Sequence, residues 1–133
     1  MKTSEEREQI FILLFEKSFN PEFSADDIIK IAVGDEIITE TAYTKELFLS
    51  TVEKIDEIDS QISKYSKERS FDRISKVSLA LLRLAVCEIR YFDKVPVGVS
   101  INEAVNLCKK YGSEDEYSFV NGILGSIARE EIK

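Results

Sequence analysis

Few residues of this chain have the chemistry and spacing of a catalytic or metal-binding site. The sequence contains no His, which excludes Ser-His-Asp triads, Cys-His nucleophiles and histidine-ligated metals. Glu88 lies in the apolar stretch 85–89, where a partly buried carboxylate is a candidate general acid. No second carboxylate or metal-binding cluster accompanies it nearby in sequence. A structural carboxylate, bound by an arginine or a helix N-terminus, is therefore the favoured interpretation, and we expect no enzyme activity, cofactor or metal.

The two cysteines and the acidic runs do not change that expectation. Cys87 and Cys108 each lie in an apolar helical stretch, and their separation matches no metal or redox motif. The sequence therefore predicts buried, reduced thiols. The acidic runs at 35–40 and 113–117 lack the ligand pattern of a calcium loop, and no Gly-rich phosphate loop is present.

One aromatic residue is a candidate for nucleic-acid binding. Tyr117, Phe119 and Val120 lie near the start of the last predicted helix, among acidic and small polar residues. Tyr117 is interpreted as core. An exposed aromatic ring at Phe119 would be able to stack on a nucleobase. From residue types alone, burial of Phe119 in the core is the alternative.

The charge of the chain is distributed unevenly. It has 18 basic and 25 acidic residues, a formal net charge of -7, which argues against nucleic-acid binding if spread evenly. Residues 1–60 carry six basic and fifteen acidic side chains, whereas residues 61–94, here called the basic segment, carry eight basic and four acidic ones. Such a segment can bind phosphates in a salt-sensitive way. The alternative is a solvated face paired with the acidic first half.

The elements that must position these residues are helices. The chain has 133 residues, 44% of them hydrophobic, which fits one domain over 1–133 with a real core. Five Gly and two Pro are few for a β-sandwich, and the apolar periodicity is helical almost throughout. We therefore predict an all-α bundle of about seven helices, with residues 73–92, apolar on most sides, as the central helix. A kink is predicted at Asp56, and helix-capping pairs are predicted at Thr3–Glu6, Ser24–Asp27, Ser100–Glu103 and Ser113–Glu116. The apolar stretch 10–15 is too short for a signal peptide or membrane span, which predicts a soluble, cytoplasmic chain.

The C-terminal half carries a recognisable pair of motifs. Residues 99–105, VSINEAV, are followed by residues 119–124, FVNGIL, and this pair resembles the INEAV…FVNG(V/I)L signature of the NusB family of bacterial transcription antitermination factors. The stretch 81–89, LLRLAVCEI, is similar to the family's ILR-A-YE helix, and weaker matches run through the rest of the chain in the same order. The resemblance implies a compact fold of seven helices without catalysis.

The resemblance also implies partners. NusB proteins pair with the small-subunit ribosomal protein that acts as NusE, bind boxA RNA with it, and join the antitermination complex of Nus factors on RNA polymerase at ribosomal RNA operons. Some members form homodimers. By position, Phe119 corresponds to the aromatic residue that contacts a base, and Asp115 to an acidic residue that modulates RNA affinity. Phe15 corresponds to a Tyr at the NusE contact, and Asp72 to an acidic position that faces the partner.

The N-terminus departs from the family pattern. NusB proteins typically carry an arginine-rich run there, whereas this chain has Lys2, four residues without positive charge, and then Arg7. Because each phosphate contact adds affinity through counterion release, we expect weaker RNA binding by the chain alone. Lys2, Arg7 and the basic segment are then the expected phosphate contacts, with a larger contribution from the ribosomal partner. The alternative function is a NusB-like protein-interaction module that binds no RNA of its own.

Overall fold

The computed structural model describes residues 4–67 and 69–132, and over these ranges it is helical. The prediction of an all-α fold is confirmed: the described residues form seven α-helices, with a single 3-10 turn, Phe71–Arg73, before the fifth. The helices are α1 (Ser4–Phe19), α2 (Ala25–Gly34), α3 (Ala42–Glu53), α4 (Ile55–Tyr65), α5 (Lys76–Tyr91), α6 (Val97–Tyr111) and α7 (Glu114–Ile132).

Helix α5 is the centre of the bundle, as its apolar sequence predicts. It packs against α1, α3, α4, α6 and α7, while α2 lies outside it against α1 and α3. Ten of its sixteen residues are buried, including a run from Leu84 to Ile89. A helix in the middle of a bundle has no solvent-facing stripe over most of its length, so its sequence loses the amphipathic pattern of a surface helix.

Local capping explains where several helices begin. The hydroxyl oxygens of Ser24, Thr41 and Ser75 accept hydrogen bonds from the backbone N–H three residues further on, at 3.1, 3.2 and 3.1 Å. Each of these bonds satisfies one of the N–H groups that a helix leaves unpaired at its first turn. The predicted cap at Thr3 lies outside the described residues.

Two helix boundaries differ from the sequence prediction. The break between α3 and α4 falls at Lys54, whereas a kink at Asp56 was expected. Helix α6 begins at Val97, directly after Pro96, so Ser100 is not its cap. Proline suits a helix start because it has a fixed φ and no N–H to satisfy. Ser100 is instead fully buried and donates a hydrogen bond to Glu88 at 2.7 Å.

Within the described residues, no helix is both long enough and apolar enough to cross a membrane.

Candidate nucleic-acid interface

An open groove runs between the end of α4, the connection that follows it and the first half of α7. Its lining combines basic, aromatic, acidic and apolar side chains, among them Tyr65, Lys67, Arg69, Asp115, Phe119 and Ile123. Asp115 and Phe119 are four residues apart on α7, so the helical repeat puts them on the same face. The groove therefore brings two of the predicted RNA-binding residues together with two cations of the basic segment.

The ring of Phe119 forms part of the groove but is largely covered. Only 9% of the residue is exposed, and it packs with the hydrophobic core. The guanidinium carbon of Arg69 lies over the ring, 3.9 Å from its centroid, which is a cation–π contact. The exposed ring expected for base stacking is therefore not found, because Phe119 is buried in the core, as the alternative interpretation held. It nevertheless lies beside a basic group at the groove.

Glu116 fixes the position of Arg69. Its Oε2 accepts a hydrogen bond from Arg69 Nη1 at 3.0 Å, while its Oε1 accepts hydrogen bonds from Ser75 at 2.6 Å and Ser78 at 2.5 Å. Burial alone would raise the pKa of Glu116, but these hydrogen bonds and the Arg69 charge together lower its pKa below the ordinary value of 4.5. The carboxylate therefore stays ionised and ties the connection to the starts of both α5 and α7.

Asp115 and Lys67 are exposed on the same groove. Lys67 extends the positive charge of Arg69 along the groove, whereas Asp115 places a negative charge beside it. A phosphate backbone would be attracted by the two cations and repelled by the carboxylate. Asp115 also lies in the first turn of α7, where a negative charge is favourable to the helix dipole.

The structure places Arg7 in the interior, where it was not expected. It was predicted as a phosphate contact, but only 1% of the residue is exposed, and Nη2 lies 3.0 Å from Glu88 Oε2. Arg7 also donates to Glu103 Oε1 at 3.4 Å. A guanidinium enclosed in this way is unavailable to an RNA phosphate, because leaving its buried carboxylate would cost several kcal/mol, on the order of 3–5.

Glu88 is the structural carboxylate that the sequence favoured. It is fully buried, and Arg7, Ser100 and Tyr43 all donate hydrogen bonds to its two oxygens. Burial and the neighbouring Glu88 charge raise the pKa of the Tyr43 hydroxyl, so it remains a donor. A carboxylate with its oxygens occupied by these donors is not placed to transfer protons to a substrate.

The remaining predicted site residues lie on other surfaces or outside the description. Lys2 lies outside the described residues. Phe15 is half-buried on α1 and packs its ring against Phe11 and Phe19, at centroid distances of 5.8 and 5.0 Å. Asp72 is exposed in the 3-10 turn and accepts a hydrogen bond from Ser70 at 2.7 Å.

The end of α1 and the start of α5 form one surface. Lys76 Nζ lies 5.1 Å from the centroid of the Phe19 ring, which is 55% exposed. Phe15 precedes Phe19 by one helical turn and packs against its ring. We call the surface formed by Phe15, Phe19 and Lys76 the aromatic corner. Asp72, the second predicted partner-binding residue, lies in the 3-10 turn before α5.

The comparisons with known proteins agree over nearly the whole chain. The family model described as NusB family matches residues 4–129. The chain belongs to the NusB family. Among its relatives, the transcription antitermination protein NusB of Finegoldia magna is 36% identical over 132 residues, which cover 98% of this chain and 96% of that protein.

Solved structures of the NusB family have the same fold. A structure of T. maritima NusB superposes with a TM-score of 0.83 at 33% identity, covering 98% of this chain and 94% of that one. A chain in the structure of the antitermination factors NusB and NusE in complex with double-stranded RNA superposes with a TM-score of 0.85 at 30% identity, with 96% of each chain covered. The fold implied by the sequence motifs is therefore confirmed.

Arg69 and Glu116 are the site residues that sequence reasoning did not single out. Arg69 was counted only as one of eight cations in the basic segment, and Glu116 only as a residue of a helix cap. Fifty residues separate Arg69 from Phe119, and no periodicity links them. The only available signal was the coincidence of a local basic excess with a candidate stacking aromatic in an otherwise acidic chain.

Proposed function

We propose that this chain is the RNA-binding subunit of a transcription antitermination complex, which binds boxA RNA together with the small-subunit ribosomal protein that acts as NusE. In that role it works with RNA polymerase and other Nus factors on ribosomal RNA operons, in the cytoplasm. Membership of the NusB family supports the role. So does its similarity to a chain from a complex of NusB, NusE and double-stranded RNA.

The groove between α4 and α7 is the observation that carries the proposal. It joins Phe119 and Asp115 to Lys67 and Arg69 in a chain whose net charge is -7. Single-stranded RNA is recognised by stacking of splayed bases on aromatic or guanidinium planes, together with contacts from cations to phosphates. The groove offers both kinds of contact at one place.

The aromatic corner is proposed as the surface for the ribosomal partner. Phe15 and Phe19 form an aromatic pair at the end of α1, with Lys76 as a charged neighbour. Asp72, exposed in the turn before α5, is proposed as a further contact to this partner. Interfaces between proteins are enriched in aromatic anchors with a polar rim. The corner and the groove involve different residues, so the protein and the RNA would not compete for the same side chains.

A salt-dependent titration tests the function. Fluorescently labelled boxA RNA is titrated with the chain alone and with the chain bound to the NusE-type ribosomal protein, at several salt concentrations. We expect tighter binding with the partner, and weakening with salt at a slope that counts the phosphates contacted. A chain that binds the partner but never binds RNA, even at low salt, would instead be a protein-interaction module with the NusB fold.

A further inference from the structure

The groove presents a guanidinium, rather than a bare aromatic ring, to whatever enters it. Phe119 is 9% exposed, whereas 25% of the Arg69 side chain remains accessible. The guanidinium carbon lies over the Phe119 ring, 3.9 Å from its centroid. A guanidinium is planar and has two faces, so a second flat group can stack on the side turned away from the ring.

Arg69 is held in this position from two sides. Its carbonyl oxygen accepts a hydrogen bond from Ser66 Oγ at 2.6 Å, which fixes the backbone just after α4. Its guanidinium is bound to Glu116, which Ser75 and Ser78 hold in turn. A flexible surface arginine would have to be ordered when RNA binds, whereas this side chain is already ordered, and preorganisation of this kind reduces the entropic cost of binding.

We propose that Arg69 is the nucleobase-stacking residue of this chain, and that a base of single-stranded RNA stacks on the guanidinium face turned away from Phe119. The inference rests on the proposed function and deepens it. Phe119 then acts as the layer behind the arginine and Glu116 as a positioning residue. The base, the guanidinium and the ring form a three-layer stack, in which the existing contacts of Arg69 are kept when RNA binds. If Arg69 instead moved off Phe119 to let a base reach the ring, it would have to break its contacts with Phe119 and Glu116.

The structure supplies a matched control at Arg83. Arg83 also belongs to the basic segment and is also paired with a carboxylate, through two 2.8 Å hydrogen bonds to Asp59. Arg83→Gln and Arg69→Gln therefore remove the same charge and the same kind of ion pair. Only Arg69 lies on the groove. Arg69→Lys completes the set, because lysine keeps the charge but has no plane on which a base can stack.

The test measures binding of boxA RNA and of a shuffled single-stranded RNA to the chain with its ribosomal partner, for wild type and the three variants. Thermal unfolding of each variant confirms that equal amounts of folded protein are compared. We expect Arg69→Gln and Arg69→Lys to weaken binding roughly tenfold, the loss typical of one stacked base, and Arg83→Gln to change it less than twofold.

Each outcome decides the question. If Arg69→Lys binds RNA as tightly as wild type, only the charge of Arg69 matters. If Arg69→Gln binds RNA more tightly than wild type, Arg69 covers Phe119 as a lid. Either result overturns the inference, while the proposed function stands. If wild type binds both RNAs equally and Arg69→Gln weakens both, the stacking role stands and boxA recognition fails. If wild type binds neither RNA with the partner present, both proposals fail.

Discussion

Two arginine–glutamate pairs in this protein have the same chemistry and opposite surroundings. Arg7 and Glu88 form a pair whose side chains are 2% and 0% exposed, inside the bundle between α1 and α5. Arg69 and Glu116 form a pair whose side chains are 25% and 19% exposed, at the edge of a groove. The N–O distance is 3.0 Å in both pairs. Burial, rather than pairing, therefore decides whether the charge of an arginine is available to a ligand.

A count of basic residues overstates how many of them can bind phosphate, because some are buried. Arg7 is one of six cations in the acidic first half, yet its charge is used to neutralise a buried carboxylate. Within the basic segment, Arg83 is bound to Asp59 and only 14% of its side chain is exposed. Two cations of the segment, Lys67 and Arg69, line the groove. This supports a substantial contribution to RNA affinity from the ribosomal partner.

The largest expected effect is on stability at the buried pair. Arg7→Met leaves the Glu88 carboxylate buried with no cation beside it, and we expect the free energy of unfolding to fall by about 3–5 kcal/mol. Urea denaturation measures this loss. The double variant Arg7→Met with Glu88→Gln should recover much of it, because the buried charge is then removed. A loss below about 1 kcal/mol in the single variant would show that burial does not distinguish the two pairs.

A smaller effect is expected at the ring behind Arg69. Phe119→Leu keeps most of the apolar volume, so the free energy of unfolding should fall by about 1–1.5 kcal/mol, well short of the loss from truncation to Ala. RNA affinity should also fall, because the guanidinium loses the flat surface beneath it. Denaturation and an RNA titration check the two effects separately. Unchanged RNA affinity would show that Arg69 keeps its position without the ring.

The stability that the Arg69–Glu116 pair contributes should depend on pH. Because the pKa of Glu116 is lower in the folded protein than its ordinary value of 4.5, the ionised form stabilises the fold above that value. This contribution is lost as the pH falls through the lower, folded-state pKa. Glu116→Gln should therefore cost about 1 kcal/mol or less at pH 7, and the difference from wild type should vanish under acidic conditions. Unfolding of both proteins between pH 7 and pH 2.5 tests this, and a difference that grows on acidification would contradict it.

The smallest effect on stability is expected at Lys67. Because this side chain is exposed on the groove, Lys67→Gln should change the free energy of unfolding by less than about 0.5 kcal/mol. If Lys67 contacts a phosphate, the slope of the logarithm of RNA affinity against the logarithm of salt concentration should become shallower by about 0.7. A titration over a range of salt concentrations measures the slope. An unchanged slope would remove Lys67 from the set of phosphate contacts.

The fold was predictable from the sequence because its signals are local. Ser24 and Ser113, both predicted as caps, accept hydrogen bonds from an N–H only three residues away, and the apolar pattern of α5 marks it as central. The start of α6 was misplaced because Ser100 has the type of a cap but is bound to Glu88 on a neighbouring helix. The capping rule considers only neighbouring residues, so it fails for a serine whose hydroxyl binds a residue on another helix.

The site was predictable only in part, for the same physical reason. Phe119 begins a motif that resembles the NusB family and Asp115 lies four residues ahead of it, and the groove contains both. The burial of Arg7 depends on Glu88, 81 residues away, and the covering of Phe119 depends on Arg69, 50 residues away. Contacts at such separations leave no period in the sequence. The resemblance therefore placed Arg7 among the phosphate contacts, and Arg69 was predicted only as one cation of the basic segment.

The most direct test of RNA binding in the groove is a map of the backbone amides that respond to RNA. Two-dimensional NMR spectra of the isotopically labelled chain, bound to its ribosomal partner, are recorded as boxA RNA is added to saturation. We expect the largest changes in amide chemical shift at the groove, around Lys67, Arg69 and Phe119, and little change around Glu88 and Ser100. Saturated RNA binding with the groove amides unshifted would contradict this expectation.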